Sequence, residues 1–338
     1  MITQAAVSFQ PPSQSAWQKA LAEAISSPLE LLQLLEIDPA VAGFRLSADI
    51  RFRQRVPRGF AARMRKGDPL DPLLLQVLPL AEEDAEIPGF LVDPVGDLKA
   101  ETVPGMLHKY HGRALIVITG ACAIHCRYCF RRHFPYGDSN PSADHWRRVL
   151  EYLRGDGSIT EVILSGGDPL SLPDARLADL AQALAEIPHL KRLRVHTRLP
   201  VVLPERVVDS LLAWLVGTRL HPVMVIHANH ANEIDDAVRA GLRLLRDARV
   251  PLLNQSVLLK NINDSVEALC DLNEALFEAD VLPYYLHLLD PVQGSAHFNI
   301  DDAAAHRLLD AMRARLPGYL VPRLVREIAG LPYKLLFK

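Results

Sequence analysis

The chain has 338 residues, of which 49% are hydrophobic, and a formal net charge of −3 at pH 7. This length allows one large buried core, and the near-neutral, evenly spread charge argues against a nucleic acid as partner. Neither a signal-peptide pattern nor an apolar run of membrane-spanning length is found, so the sequence predicts a cytoplasmic protein with no membrane contact.

The chain begins with a segment that predicts helices. Residues 15–36 carry apolar side chains at helical spacing, namely Trp17, Leu21, Ile25, Leu29, Leu32 and Leu35. Pro28 predicts the first turn of a second helix, with Ser27 as its N-cap. The stretch 51–105, rich in Arg, Pro, Gly and Asp, predicts a wrapping segment with short helices. We therefore assign residues 1–104 to an N-terminal helical extension.

Six short strand-like runs follow, with the sequences ALIVIT, EVILS, RLRVHT, PVMVIHA, PLLNQSVLL and PYYLHLL. After the first run they begin roughly 30 residues apart, with a helical pattern in each gap, which is the size of a parallel β–α crossover. Six such units predict an α/β fold, a partial parallel barrel over residues 105–300. Residues 301–338 are assigned to a C-terminal helix and a final segment.

Polar residues lie at or near the ends of these predicted strands. The first strand is followed by a cysteine-containing loop, and the later ones carry Ser165 to Asp168, His196 to Arg198, His227, Gln255 and Asp290. Because the carboxyl ends of parallel strands in a barrel share one face, we expect these residues to surround one site.

Three of the four cysteines lie close together, at Cys122, Cys126 and Cys129, in a C-x3-C-x2-C pattern. Three thiolates on one loop can bind three corners of a [4Fe–4S] cluster and leave the fourth iron open. A structural zinc site with His125 or His133 as fourth ligand is the alternative, although such sites usually contain two pairs of cysteines. Cys270, among apolar residues of a predicted helix, is predicted to be a core thiol.

This cysteine spacing, followed by an aromatic residue after the first strand of a barrel, resembles the signature of radical S-adenosylmethionine (SAM) enzymes. The resemblance implies that the open iron binds S-adenosyl-L-methionine, which one electron cleaves to methionine and a 5′-deoxyadenosyl radical. The stretch 165–168 resembles the glycine-rich segment of that family, which implies SAM contacts from Ser165, Gly166, Gly167 and Asp168. A strand-to-helix turn capped by Asp168 is the structural alternative.

Longer stretches resemble one subfamily, the lysine 2,3-aminomutases. They are KYHGRALIVITGACAIHCRYCFRRHF, LSGGDPL, HTRLPVVLPERV, HANHANEI, NQSVLLKNIND and LDPVQGSAHF. The resemblance implies an isomerase that converts L-lysine to β-lysine with pyridoxal 5′-phosphate (PLP) as a further cofactor. Among shorter members, the resemblance is strongest to the type that supplies (R)-β-lysine for elongation factor P. It also implies a reductant such as flavodoxin or ferredoxin and a separate β-lysine ligase, and a homo-oligomer is compatible with the sequence.

The resemblance also implies how PLP is bound by a C-terminal segment. Lys334 matches the lysine that forms a Schiff base with PLP, with Lys338 as the alternative. Only Gly330 remains of the glycine run that precedes this lysine in the family. The residues that match PLP-phosphate contacts are Lys109, Tyr110 and Arg113.

The substrate and SAM contacts are implied in the same way. Arg131 matches the arginine that binds the substrate carboxylate, since a guanidinium can form a two-pronged pair with it. Asp290 and Glu327 match the positions that hold the distal ammonium of lysine. His227 and Gln255 match residues near SAM.

Three other functions fit parts of the sequence. The enzyme could be an aminomutase for another amino acid such as glutamate or arginine, although two acids near the substrate disfavour an acidic one. A radical SAM enzyme without PLP would leave Lys334 as an ordinary tail residue. A non-catalytic iron–sulfur redox or sensor protein would not require the polar residues at the barrel rim.

Overall fold

A computed structural model of the chain describes residues 15–49, 51–137 and 143–337. Residues 1–14 and 50 of the predicted extension, and Lys338, lie outside the described residues. The fold is built around a ten-stranded sheet whose strands are neighbours in chain order. The strands are β1 (Glu101–Val103), β2 (Met106–Tyr110), β3 (Arg113–Thr119), β4 (Glu161–Gly166), β5 (Arg192–Thr197), β6 (His221–Ile226), β7 (Leu252–Val257), β8 (Leu282–His287), β9 (Arg323–Arg326) and β10 (Leu335–Leu336).

Helices of the described chain precede the sheet or connect its parallel strands. They are α1 (Ala16–Ala22), α2 (Pro28–Leu34), α3 (Arg58–Ala61), α4 (Pro72–Leu75), α5 (Ala143–Gly155), α6 (Asp174–Ala185), α7 (Leu199–Val202), α8 (Asp209–Val216), α9 (Asp236–Asp247), α10 (Val266–Glu278) and α11 (Asp302–Arg315). Helices α5 to α11 all lie in crossovers between parallel strands, as the predicted β–α period requires.

The predicted partial barrel is confirmed. Strands β3 to β9 pair in parallel, each with the next, while β1–β2–β3 and β9–β10 pair antiparallel at the two edges. The six predicted strands correspond to β3–β8, and the C-terminal segment adds β9 as a further parallel strand. The sheet runs across the predicted segment boundaries at 104 and 300. Within the described residues no pairing joins β1 to β10, so the barrel is open.

Strand β5 illustrates how the barrel separates its apolar core from a polar interior. Leu193 and Val195 are at most 1% exposed and belong to the apolar core, whereas the alternating Arg194 and His196 line an interior cavity. Side chains of a strand alternate between two faces, so this pattern places cations and imidazoles inside the barrel.

The N-terminal helices form as predicted, with one difference. The Ser27 hydroxyl accepts a hydrogen bond from the Glu30 amide at 3.4 Å and caps α2. Trp17, Ile25, Leu32 and Leu35 are buried as their spacing predicts, whereas Leu29, in the first turn of α2, is 60% exposed. The chain leaves helical geometry between α1 and α2, so the helical register restarts at α2 and Leu31 is buried in place of Leu29.

The largest apolar core lies between the sheet and the surrounding helices. Strand residues Leu164, Val195 and Ile226 and helix residues Leu177 and Leu242 are all 0% exposed there. None of the helices in the described part of the chain combines the length and apolar character needed to cross a membrane. Close packing of this core keeps the strand ends in fixed relative positions.

Candidate active site

A cavity of about 500 Å³ occupies the interior of the barrel. It extends from the cysteine loop at the carboxyl ends of the parallel strands to Arg113 at the amino end of β3. The structure brings all of the predicted site residues to this cavity: Lys109, Tyr110, Arg113, Cys122, Cys126, Cys129, Arg131, Ser165, Gly166, Gly167, Asp168, His227, Gln255, Asp290, Glu327 and Lys334.

The cysteine loop between β3 and α5 is held against the end of β4 by the glycine-rich stretch. The Gly167 amide donates to the Thr119 carbonyl, and the Asp168 amide to the Ala121 carbonyl, both at 2.7 Å. A Cβ at Gly167 would lie 2.4 Å from the Ala121 oxygen, and Gly166 has a φ of +123°. These positions require glycine, and the stretch therefore fixes the loop in addition to lining the cavity.

Burial favours the protonated form of the Cys122 and Cys129 thiols in the absence of a metal. Burial, reinforced by the neighbouring Cys126, raises the pKa of Cys129 to about 11. Burial also raises the pKa of Cys122 well above its usual range. Because metal ligation requires thiolates, binding of a cluster here would be coupled to release of protons.

The zinc alternative finds no support in the ligand arrangement. His125 Nδ1 lies 2.6 Å from the Arg53 carbonyl oxygen, and His133 Nε2 lies 3.1 Å from the Gln293 carbonyl oxygen. Across residues 15–49, 51–137 and 143–337, no three His, Cys, Asp or Glu side chains converge as one metal ion would require. A polynuclear cluster spaces its thiolate ligands more widely and does not need that convergence.

Arg198, which directly follows β5, contacts the cysteine loop at Cys126. Its Nη1 donates to Cys126 Sγ at 2.7 Å, and its Nη2 donates to Glu233 Oε2 at 2.9 Å and Gln76 Oε1 at 2.6 Å. Burial opposes the charge of Arg198, but Cys126 and Glu233 outweigh it and raise the pKa. The Arg198 guanidinium thus connects the Cys126 sulfur to the buried side chains of Glu233 and Gln76.

Asp168 forms the hydrogen bonds of a helix N-cap residue, at the start of the short 3-10 turn Pro169–Ser171. Its Oδ1 accepts from the Thr197 hydroxyl at 2.6 Å and the Leu170 amide at 3.1 Å. Its Oδ2 accepts from the amides of Arg198 at 2.7 Å and Leu199 at 3.1 Å. The predicted contact with the SAM ammonium stays a prediction, and any such contact would share oxygens that already accept four hydrogen bonds.

Arg131 is fixed by two partners at one wall of the cavity. Its Nε donates to Asp97 Oδ2 at 2.6 Å, and its Nη1 donates to the Ser165 hydroxyl at 3.1 Å. Asp97 belongs to the wrapping segment and was not among the predicted site residues. Nothing local in its sequence distinguished it from the other acids of that segment.

The two acids predicted to hold an ammonium have opposite environments. Glu327 pairs through Oε1 with Lys109 Nζ at 2.8 Å and through Oε2 with Lys334. Burial opposes its ionisation, but these two cations outweigh burial and lower its pKa to about 2. Asp290 is half-buried, and its buried Oδ1 has no hydrogen-bond partner among the described residues. Burial, then the charge of Glu327, raises its pKa to about 7.

Arg113, the remaining predicted cation, lies in the part of the cavity near the amino end of β3. The Arg113 guanidinium lies 4.6 Å from the ring centre of Tyr110. Burial lowers the pKa of Arg194, and the nearby charge of Arg113 acts in the same direction. Arg194 was not predicted as a site residue, although its alternation with buried apolar neighbours in β5 was the available signal. The Arg194 guanidinium pairs with Glu161, and together with Arg113 and the Tyr110 phenol it gives this end of the cavity groups that suit a phosphate.

Three histidines in the cavity are neutral. Burial lowers the pKa of His227 to about 3 and the pKa values of His196 and His287 well below their usual range. The Nε2 atoms of His196 and His227 are buried and have no hydrogen-bond partner among the described residues. Buried polar atoms are normally satisfied, so these atoms and Asp290 Oδ1 indicate that ligands complete this cavity.

Comparison with known proteins agrees with this arrangement. Residues 116–272 match the family model described as the radical SAM superfamily. The match contains the cysteine loop, and with the parallel open barrel it defines a radical SAM enzyme. A solved radical SAM methyltransferase from Sphaerobacter thermophilus has 16% identity and a TM-score of 0.44, with 65% of this chain and 68% of that chain covered.

Curated relatives define the family more narrowly. The L-lysine 2,3-aminomutase of Escherichia coli (strain K12) is 47% identical over 97% of this chain and 96% of its own length. That of Haemophilus influenzae is 46% identical over 95% of each. The chain belongs to the L-lysine 2,3-aminomutase family, whose members are isomerases.

Family membership implies a [4Fe–4S] cluster, SAM and PLP, and the residues present fit all three. Cys122, Cys126 and Cys129 on one loop provide the thiolates, with the Arg198 cation beside them. The unpaired imidazole of His227 faces the same cavity. For PLP, the cavity offers a lysine amine at Lys334 and the guanidinium groups at its amino end.

Proposed function

We propose that this enzyme is a radical SAM, PLP-dependent L-lysine 2,3-aminomutase that produces β-lysine, in the R configuration, for modification of elongation factor P. The proposal depends on one observation: a single cavity contains groups suited to a cluster, to both ends of a lysine substrate and to PLP. It combines three cysteines, the fixed guanidinium of Arg131, the unpaired carboxylate oxygen of Asp290 and the amine of Lys334.

Different residues of this chain bind the two ends of the L-lysine substrate and the PLP cofactor. Arg131 binds the α-carboxylate, and Asp290, supported by Glu327, accepts the distal ammonium. Lys334 is the covalent anchor of PLP, while Arg113 and Tyr110, with Arg194 nearby, hold its phosphate. Lys109 is proposed as a further cation beside the phosphate, and its ammonium also forms ion pairs with Asp97 and Glu327.

When bound, the cluster and SAM supply a one-electron source and a hydrogen-abstracting radical, and PLP supplies a π-system that stabilises an adjacent radical. Ser165, Gly166, Gly167, Asp168, His227 and Gln255 are proposed to surround SAM. The chain itself contributes orientation and partial exclusion of water, since the groups that bind the two ends of the substrate line the interior of the barrel.

Two further proteins follow from this function. A one-electron reductant of the flavodoxin or ferredoxin type would reduce the cluster. A separate ligase would attach β-lysine to elongation factor P, so free L-lysine is the substrate. The L-lysine 2,3-aminomutase names of the relatives support the substrate assignment.

The function is tested by anaerobic reconstitution with iron, sulfide, PLP and SAM, followed by chiral analysis of products from free L-lysine. We expect (R)-β-lysine, and little reaction when lysine is already attached to elongation factor P. Better turnover of glutamate or arginine would favour another aminomutase. SAM cleavage that is independent of PLP would favour a radical SAM enzyme without PLP, and no SAM cleavage at all would favour a non-catalytic iron–sulfur protein.

Asp290 should set the pH dependence of lysine binding. Its pKa is about 7 in the ligand-free cavity, and only its ionised form can pair with an ammonium. Lysine kcat/KM should therefore fall as the pH decreases through about 7, whereas Glu327, with its pKa near 2, stays ionised. Asp290→Asn should lower kcat/KM about 10- to 150-fold and remove this inflection.

SAM affinity, measured on the same variant, is the control and should stay at the parent value. A variant that keeps the parent pH profile for lysine would show that Asp290 does not bind the ammonium.

A further inference from the structure

Asp97 is a buried carboxylate that links two functional cations. Its Oδ2 accepts from Arg131 Nε at 2.6 Å, and its Oδ1 lies 2.5 Å from Lys109 Nζ. Burial opposes its ionisation, but Arg131 and Lys109 outweigh burial and lower its pKa. Each carboxylate oxygen thus has its own cation, and the carboxylate is a link between them.

The link continues to the C-terminal segment. Lys109 Nζ lies 2.8 Å from Glu327 Oε1, and Glu327 Oε2 pairs with Lys334. Arg131, Asp97, Lys109, Glu327 and Lys334 therefore form one row of alternating charges, which we call the charge row. It connects the cysteine loop to the final segment of the chain along one wall of the cavity.

The segment that carries Asp97 is itself held in place. The Asp97 amide donates to Asp93 Oδ1 at 2.9 Å, and the carbonyl of Val95 accepts from Lys109 Nζ at 2.9 Å. At Gly96, where φ is +68°, a Cβ would lie 3.0 Å from the Cβ of Ala329, two residues after Glu327. The segment thus rests against the same C-terminal stretch that carries Glu327.

We propose that Asp97 is a positioning residue that fixes the separation of Arg131 and Glu327, and thereby sets the length of diamino acid that the site accepts. This inference rests on the proposed function, in which the substrate carboxylate binds Arg131 and its ammonium lies beside Glu327 and Asp290. A substrate charged at both ends binds best when its length matches the spacing of its two partners. The side chains of the charge row determine that spacing, and Asp97 is the member that joins its two halves.

Binding measurements on the PLP-loaded enzyme without reductant test the idea, because no turnover then occurs. Calorimetric titration should show that the parent enzyme binds L-lysine at least about 10-fold more tightly than L-ornithine, which is one methylene shorter. In Asp97→Asn the carboxylate link is lost, so Arg131 and Glu327 can move independently. The lysine-to-ornithine affinity ratio should then fall below about 3-fold. In steady-state assays, KM for lysine should change more than kcat.

Two further variants complete the test: one is a control, and the other lengthens the acidic side chain at position 97. Glu86→Gln removes an exposed acid of the same N-terminal segment and should keep the parent ratio. Asp97→Glu keeps the charge but lengthens the link by one methylene. It should shift the affinity ratio towards L-homolysine, one methylene longer than lysine, by at least about 3-fold.

An unchanged chain-length preference in both Asp97 variants, with all affinities reduced in parallel, would overturn the inference and leave Asp97 a structural residue. If Asp97→Asn does not fold, the preference of Asp97→Glu decides alone. Failure of the proposed function gives a different result, since the parent enzyme would then neither prefer lysine to ornithine nor convert it.

Discussion

Replacing any one of Cys122, Cys126 and Cys129 by alanine is expected to abolish cluster assembly and reduce SAM cleavage to background. A [4Fe–4S] cluster with one open iron has only three protein ligands, so the chain has no spare thiolate. Each variant would be reconstituted anaerobically with iron and sulfide, and bound iron and the visible absorption of the cluster would be measured. A full cluster in any of the three variants would contradict the ligand assignment.

Cys270→Ala is the matched control. Cys270 lies in α10, packs against a separate apolar cluster and does not line the cavity. Its loss should leave the iron content unchanged and should lower the free energy of unfolding only modestly, because its thiol is partly exposed. Loss of the cluster from a folded Cys270→Ala protein would show that a cysteine outside the loop is a ligand.

Borohydride reduction of the PLP-loaded enzyme is expected to attach PLP permanently to Lys334. The amine lines the cavity and pairs with Glu327, so it is already inside the site that PLP would occupy. An amine forms a Schiff base with PLP only as the neutral nucleophile, so the bond requires release of a proton from Lys334. Peptide mass spectrometry should locate the label on Lys334.

In Lys334→Ala the label and lysine turnover should both be lost, while the cysteine loop should still assemble its cluster. Lys260, an exposed lysine outside the cavity, provides the control, and Lys260→Arg should be labelled at Lys334 like the parent. A label on Lys338 or Lys260, with Lys334 unmodified, would show that Lys334 was wrongly matched to the PLP-binding lysine of the family. The mismatch would lie in the segment where the family's glycine run is missing.

Much of the barrel was predictable because it depends on patterns that repeat along the chain. Apolar strand runs separated by amphipathic helices indicate parallel crossovers, and their carboxyl ends must share one face. The parallel strand that was missed, β9, is short and follows the last helix without a second helix behind it, so the period gave no signal. Leu29 is exposed although it matches the apolar spacing, because the helical register restarts where α2 begins.

The site was predictable where its residues lie next to a strand end or within a compact motif. The spacing of Cys122, Cys126 and Cys129 is itself typical of cluster ligands, and Asp290 follows a predicted strand. Asp97 and Arg194 were not identified as site residues. An acid in an irregular segment and an arginine in a strand have the same local sequence whether they face solvent or a cavity.

By itself the sequence determined the order of strands β3 to β8 and the convergence of the predicted site residues, the three cysteines among them, on one cavity. These depend on neighbouring residues, whose relative positions follow from backbone geometry. Only the tertiary structure decided that Glu327 is neutralised by Lys109 and Lys334 while Asp290 is left unpaired, and that Asp97 joins Arg131 to Lys109. Ion pairs between residues far apart in the chain depend on burial and side-chain reach in the folded protein, and no local pattern encodes either.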